Sequence, residues 1–224
     1  MFGTMAYGST TRFRDRREAG RRLAEQLAAY AGRDDVIVLA LPRGGVPVAF
    51  EVARAIGAPM DVFVVRKIGV PWHEELAMGA IASGGARVLD PDIIESCGVS
   101  REEVEAITAT EAAELRRREE QYRGTRPFPS LAGKTVLLVD DGLATGSSMR
   151  VAATAVRAKA PARIVIAVPV APRDTCEALR EVADDTVCAM IPEPFQAVGL
   201  WYQDFSQTSD EEVRALLAEA RPPR

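Results

Sequence analysis

A chain of 224 residues is long enough for one well-cored domain with a small subdomain left over, and too short for two large ones. Its 47% hydrophobic and 27% charged content is ordinary for a soluble globular protein, and a net charge of −4 argues against nucleic acid as a partner, which usually calls for a clustered basic excess. The opening residues lack the apolar core of a signal peptide and no apolar run approaches a membrane span, so no membrane partner is expected.

Residues 1–10 read as a disordered tail, with Met5 as an alternative start. Over residues 12–31, Ala19, Leu23, Leu27 and Tyr30 recur at helical spacing, which predicts an amphipathic helix on the sheet edge. VIVLAL (36–41) is the continuous apolar run of a central parallel strand covered on both faces. It ends in the turn Pro42-Arg43-Gly44-Gly45. A helix over 46–56, stopped by Gly57, and a buried strand over 61–65 complete a right-handed βαβ unit. Residues 66–89 are polar and glycine-rich, and MGAIA can pair with ARVLD across Ser83-Gly84-Gly85. Long loops within compact domains are usually functional, so this stretch is expected to be a mobile loop with a hairpin. A short helix or turn is expected over 90–99. Ser100-Arg101-Glu102-Glu103 then has the form of a capping box, opening a charged helical insertion over 100–123 with a thin apolar stripe at Val104, Ile107, Ala112 and Leu115. A solvated outer helix is the plain reading of it; a dimer contact is the sharper one.

The stretch TVLLVDDGLATGSSM (135–149) carries the chemistry. Val136 to Val139 read as a buried strand, Asp140 and Asp141 stand at its carboxyl end, and a small-residue loop leads into a helix. Small residues let backbone N–H groups converge on an anion, and the helix that follows adds the positive end of its dipole. The adjacent carboxylates cannot bind that anion, but they can accept hydrogen bonds from the vicinal hydroxyls of a sugar. Together these features imply a phosphorylated ribose. A P-loop is excluded because no Lys follows Gly146, and too little chain follows Asp140 for a separate receiver domain of roughly 100 residues.

A strand over 163–170, a helix over 173–183 and a strand over 186–191 continue the alternation, which predicts an α/β fold with a doubly wound, mainly parallel central sheet flanked by helices. The domain core would then span 11–191. Residues 192–224 would form a small aromatic hood, PEPFQAVGLWYQDFSQ, with a C-terminal helix over 209–220 and a frayed end over 221–224. Cys97, Cys176 and Cys188 are odd in number and fit no zinc or C-x-x-C spacing, so a reducing, cytoplasmic setting without disulfides is expected.

The 135–149 stretch closely resembles the PRPP-binding motif of type I phosphoribosyltransferases. From RFRDRREAG through LPRGGVPVA, VRKIGVP, VDDGLATG and VGLWYQDF, nearly the whole chain resembles stand-alone bacterial phosphoribosyltransferase-domain proteins of unassigned substrate. The resemblance implies the type I fold with its hood. It implies that Asp140 and Asp141 hold the ribose hydroxyls and that Ala144, Thr145, Gly146, Ser147 and Ser148 hold the 5′-phosphate. Arg43, Gly44 and Gly45 would form a pyrophosphate loop, and Arg66 and Lys67 would close over the leaving group. Trp201, Tyr202 and Phe205 would stack on an unidentified base, or Trp201 and Phe205 would pack the hood onto the core, while His73 is an exposed loop residue or else a leaving-group proton donor or pyrophosphate contact. Trp72 stands where the family pattern favours a small residue and could serve as a lid. Mg²⁺ is the implied cofactor, held mainly by PRPP with no protein ligand cluster, and a homodimer is the implied assembly. A non-catalytic PRPP or nucleotide sensor using the same pocket is the alternative to an enzyme.

Overall fold

Apolar runs covered on both faces build a parallel sheet, and five strands of this chain form one. The computed structural model describes residues 12–220, so the expected tail and the expected frayed end lie outside the described residues. In chain order the elements are α1 (Arg16–Gln26), β1 (Val36–Ala40), α2 (Gly45–Ile56), β2 (Met60–Val62), β3 (Val65–Val70), β4 (His73–Ala82), β5 (Ala86–Leu89), α3 (Pro91–Ser96), α4 (Arg101–Arg123), β6 (Thr135–Val139), α5 (Ser147–Arg157), β7 (Arg163–Val170), α6 (Arg173–Ala178), β8 (Asp185–Met190) and α7 (Asp210–Glu219). The main sheet has the order β2-β1-β6-β7-β8 with every pair parallel.

Side chains alternate between its two faces. Val36, Val38, Leu137, Val139, Val165 and Ala167 enter the layer beneath α2 and α7, while Ile37, Leu39, Val136, Leu138, Ile164 and Ile166 enter the layer beneath α5. Both faces are filled, which is why these strands read as unbroken apolar runs rather than as alternating ones. The doubly wound α/β architecture follows directly.

Residues 66–89 differ from the expected loop. They form a second, antiparallel sheet of order β3-β4-β5, in which the anticipated pairing across residues 83–85 is present as Gly79↔Leu89 through Ala82↔Ala86. The unanticipated strand is β3. Its pairing with β4 shifts register around Gly69, and this bulge together with the adjacent charges Arg66 and Lys67 masked the alternation in which Ile68 and Val70 are buried. The β3–β4 turn carries Trp72 and His73, both exposed.

Helix α1 begins later than expected, because the Asp15 carboxylate caps it by accepting from Glu18 N at 2.7 Å. It packs on α2 and on β7 and β8, the strands at one edge of the main sheet. Gly20 allows that approach, since a Cβ there would lie 2.6 Å from the Val48 carbonyl oxygen. The capping box of α4 forms as predicted, Ser100 and Glu103 exchanging hydrogen bonds. The far end of α4 is pinned by Arg123, whose guanidinium is buried on both carboxylate oxygens of Asp61 at 3.1 and 3.2 Å and donates to Val62 O at 2.9 Å.

The cysteines correct another expectation. Cys176 of α6 and Cys188 of β8 are joined by a disulfide, leaving Cys97 free. Their spacing matches no local motif, because the pairing depends on α6 folding back beside β8. Among the described residues, no helix is long and apolar enough to cross a membrane.

Candidate active site

Strand order in the main sheet reverses between β1 and β6, and a crevice outside the carboxyl ends of strands at such a point is where open α/β sheets bind ligands. The residues leaving β1 there are Pro42 to Gly45, joined through a cis Pro42-Arg43 peptide, and those leaving β6 are Asp140 and Asp141. The two turns touch. A Cβ on Gly44 would lie 2.1 Å from Asp141 Oδ2, and one on Gly45 would lie 2.9 Å from Asp140 Cα. The glycines therefore first make room for the acid pair, a constraint within the protein that precedes any close approach to a ligand.

The pair is electrostatically tense. Burial, followed by the neighbouring Asp141 charge, pushes the Asp140 carboxyl well above the usual carboxylate range. Asp141 is also raised by burial, against the opposing pull of Arg16, whose Nε donates to Asp141 Oδ2 at 2.8 Å. Asp140 Oδ1 accepts from Asp141 N at 2.9 Å. Two carboxyl groups thus sit together with one cation bonded to one of them, an arrangement that favours retention of a proton until a ligand supplies hydrogen-bond donors.

One loop later, Gly146 adopts a left-handed conformation with φ of 71° and forms the N-cap of α5. Having no side chain, it offers the first turn no capping oxygen, and the side-chain contact there is a long 3.5 Å approach of Ser147 N to Thr145 Oγ1. No acid occupies that first turn, whereas α7 carries Asp210, Glu211 and Glu212 in its own. The positive end of α5 is therefore uncompensated and suits an anion. Ala144, Thr145, Ser147 and Ser148 are exposed around it, with the Thr145 and Ser147 hydroxyls 3.1 Å apart. The loop is braced from below, as Thr175 Oγ1 donates to Ala144 O at 2.7 Å and Leu143 N to Val170 O at 3.0 Å.

A cavity of about 180 Å³ opens beside the acid pair, and Pro42, Lys67, Arg118, Asp140 and Ser148 contribute to its lining. Ligand pockets commonly run from roughly 300 to 1,000 Å³, so this space is smaller than a whole-ligand pocket. Successive side chains of a strand face opposite ways, and the pair Arg66-Lys67 divides accordingly. Lys67 enters the cavity. Arg66 is not brought to it and is engaged with Glu111 of α4 at 2.7 Å. The second cation of the cavity is Arg118 of α4, which periodicity alone did not single out; its Nε also bonds Glu114 at 2.9 Å. Arg43 points toward Asp210 at 3.8 Å, and Asp210 in turn accepts from Tyr122 Oη at 2.7 Å.

The hood is built from two distant segments. Phe13 N donates to Trp201 O at 2.9 Å, and Gln203 N donates back to Phe13 O at 2.8 Å. Tyr202 packs between Phe13 and Phe205 at centroid distances of 5.4 and 5.0 Å, and its hydroxyl donates to Asp141 O. At 3% exposure its ring is covered on both sides, so in this structure Tyr202 packs the hood and offers no face to a base. Trp201 is half-buried, with its indole Nε1 buried and unpartnered. Phe205 keeps 37% of its surface exposed. Among the described residues no group of three or more His, Cys, Asp or Glu side chains is placed to hold a metal ion.

Comparison with known proteins matches residues 9–203 to the model of the phosphoribosyl transferase domain. Two curated Mycobacterium tuberculosis proteins bearing the name phosphoribosyl transferase, from strains H37Rv and CDC 1551, are each 46% identical over 208 residues. The match covers 93% of this chain and 47% of each relative, so the chain spans about half the length of those proteins. The crystal structure of TT1426 from Thermus thermophilus superposes with a TM-score of 0.84 at 45% identity, covering 95% of this chain and all of that one.

Proposed function

The chain belongs to the phosphoribosyl transferase family, and on that premise we propose that it transfers the 5-phosphoribosyl group of PRPP to a nitrogen nucleophile, a nucleobase in the first instance, with release of pyrophosphate. The observation that carries this reading is the adjacency, at the sheet's switch point, of a half-buried acid pair and an acid-free helix N-terminus with a glycine N-cap one loop away. A ribose 5-phosphate presents the matching chemistry, with an anion at one end and vicinal hydroxyls at the ring.

In this reading the 5′-phosphate accepts from the N–H groups and hydroxyls of residues 144–148, and the ribose hydroxyls donate to Asp140 and Asp141. Lys67 and Arg118 face the pyrophosphate, with Gly44-Gly45 as the turn beneath it and Arg43 free to leave Asp210 for it. Mg²⁺ carried by PRPP's own oxygens would offset charge on the leaving group. The bond from C1 to the pyrophosphate oxygen breaks as the acceptor nitrogen bonds to C1, and the carboxylates place negative charge beside the ribosyl cation that develops. The protein's contribution is positioning and electrostatics. Trp201 and Phe205, both partly exposed, belong to the hood from which an acceptor pocket would be built, and the outward face of α4 would serve for pairing with a second copy.

The test is pyrophosphate release from PRPP and Mg²⁺ across a panel of purine and pyrimidine bases. Release that depends on one base, and disappears in Asp140→Asn/Asp141→Asn, is the expected result. Saturable PRPP binding with no turnover on any base would remove the catalytic reading and favour a PRPP-sensing protein.

A further inference from the structure

The arginine-rich opening of α1 contributes one residue to the site. Within RDRREAGRR (14–22), Arg17 and Arg21 pair with the buried Glu51 at 3.4 and 3.5 Å, Arg22 pairs with Glu18, and Arg14 lies exposed beside Asp15. Arg16 alone of these turns toward the acid pair. Its side chain is 12% exposed and makes three contacts of different kinds. Nε donates to Asp141 Oδ2 at 2.8 Å, Nη1 donates to Ser206 O at 2.6 Å, and the guanidinium plane lies 4.0 Å over the Phe205 ring. A planar fork can satisfy all three at once, and a compact ammonium cannot.

We propose that Arg16 is a positioning residue for the ribose end of the site, holding the Asp141 carboxylate in place against Gly44 while tying it to the hood through Ser206 and Phe205. The proposal rests on the ribose-phosphate reading given above. Its physical content is that the acid pair and the hood move as one unit, so the hydroxyl acceptors and the wall of the acceptor space share a single support. The groups that face Asp141 are few. Asp140 adjoins it on the same turn, Tyr202 reaches its carbonyl from the hood, Asp204 stands near Arg16, and Gly44 presents backbone only. Arg16 is thus the cation bonded to this carboxylate. Without it the pair would be raised further, and a protonated acid is a poorer acceptor for a sugar hydroxyl.

Two variants and one wild-type measurement test this. Carbon-13 carboxyl NMR of the ligand-free protein follows the titration of Asp140 and Asp141, and calorimetry follows PRPP binding with Mg²⁺ between about pH 6 and 9. In Arg16→Gln the pair is expected to titrate at least about one pH unit higher, and PRPP affinity near neutrality to fall roughly tenfold, with the deficit shrinking as pH rises. Arg16→Lys should bring the titration most of the way back. An unchanged titration, or an affinity loss equal at every pH, overturns the proposal. If Arg16→Gln does not fold, the Nε–H resonance of Arg16 in the wild type decides: it should move with the titration of the pair, and invariance overturns the proposal. Wild-type protein that binds no PRPP overturns the proposed function and the ribose role with it. A titration insensitive to Arg16 in protein that does bind PRPP overturns the positioning role alone.

Discussion

Asp61 and Asp140 are carboxylates at parallel strands of one sheet, the first buried and the second half-buried, and the protein treats them in opposite ways. Asp61 is 7% exposed and meets Arg123 through both oxygens, with Val62 N donating to Oδ1 at 2.8 Å, so its charge is matched where it lies. Asp140 has a second carboxylate for a neighbour, and the cation in its vicinity is bonded to that neighbour instead. The first arrangement holds α4 to β2 and is complete without a ligand. The second is left unfinished, and burial without full compensation is what a ligand rich in hydroxyl donors would complete. Buried charge alone therefore does not mark a site; its incomplete pairing does.

Four perturbations sharpen this contrast, beginning with the largest. Arg123→Met strands Asp61 as a buried, unpaired charge and should lower unfolding stability by about 3–5 kcal/mol in urea titrations. A loss below about 1 kcal/mol would mean that Asp61 is not held as described. Asp140→Asn acts in the other direction on stability. Removing one of two like charges should raise the unfolding free energy by roughly 1–2 kcal/mol, while loss of a charged acceptor for a ribose hydroxyl weakens PRPP binding by roughly 10- to 100-fold. Stability and binding falling together would contradict the assignment. Gly44→Ala forces the Asp141 carboxylate away from a Cβ that would sit 2.1 Å from Oδ2, so it should weaken PRPP binding more than it lowers the melting temperature.

The smallest effect is on the pH profile. Both members of the acid pair are raised in the folded protein, so the folded state holds a proton that the unfolded chain has already released above about pH 4. Their contribution to stability is thus fully present below the unfolded value and is lost as pH rises through the folded one. Chemical denaturation across that interval should show wild-type stability declining relative to Asp140→Asn as pH increases. A difference that stays constant with pH would remove the elevated titration from the account.

What could be read from the sequence follows the same divide between local and assembled structure. The run from Val136 to Ser148 places strand, acids, cap and helix within one contiguous stretch, so each part could be argued from its neighbours, and the sheet order then brought Pro42 to Gly45 beside it. Arg16 and Arg118 could not be found that way. Nothing in the spacing of an arginine-rich helix tells which guanidinium will face a strand end a hundred residues on. Arg66 and Lys67 looked equivalent as loop charges, and became different once β3 gave them opposite faces. Tyr202 shows the limit for aromatics: the same ring can wall a pocket or fill a core, and its burial between Phe13 and Phe205 depends on residues nearly two hundred positions apart. The Cys176–Cys188 bond likewise needs the return of the chain from α6 into β8 before the two sulfurs have any reason to meet.

Calorimetric titration with PRPP and Mg²⁺, run on the wild type and on Asp140→Asn/Asp141→Asn, bears most directly on the claim that the acid pair at the β1–β6 switch point is a ribose site. Saturable binding by the wild type, weakened at least about a hundredfold in the double variant through loss of two charged acceptors, is the predicted result. Equal affinity in the two proteins, or no binding by the wild type, would contradict it.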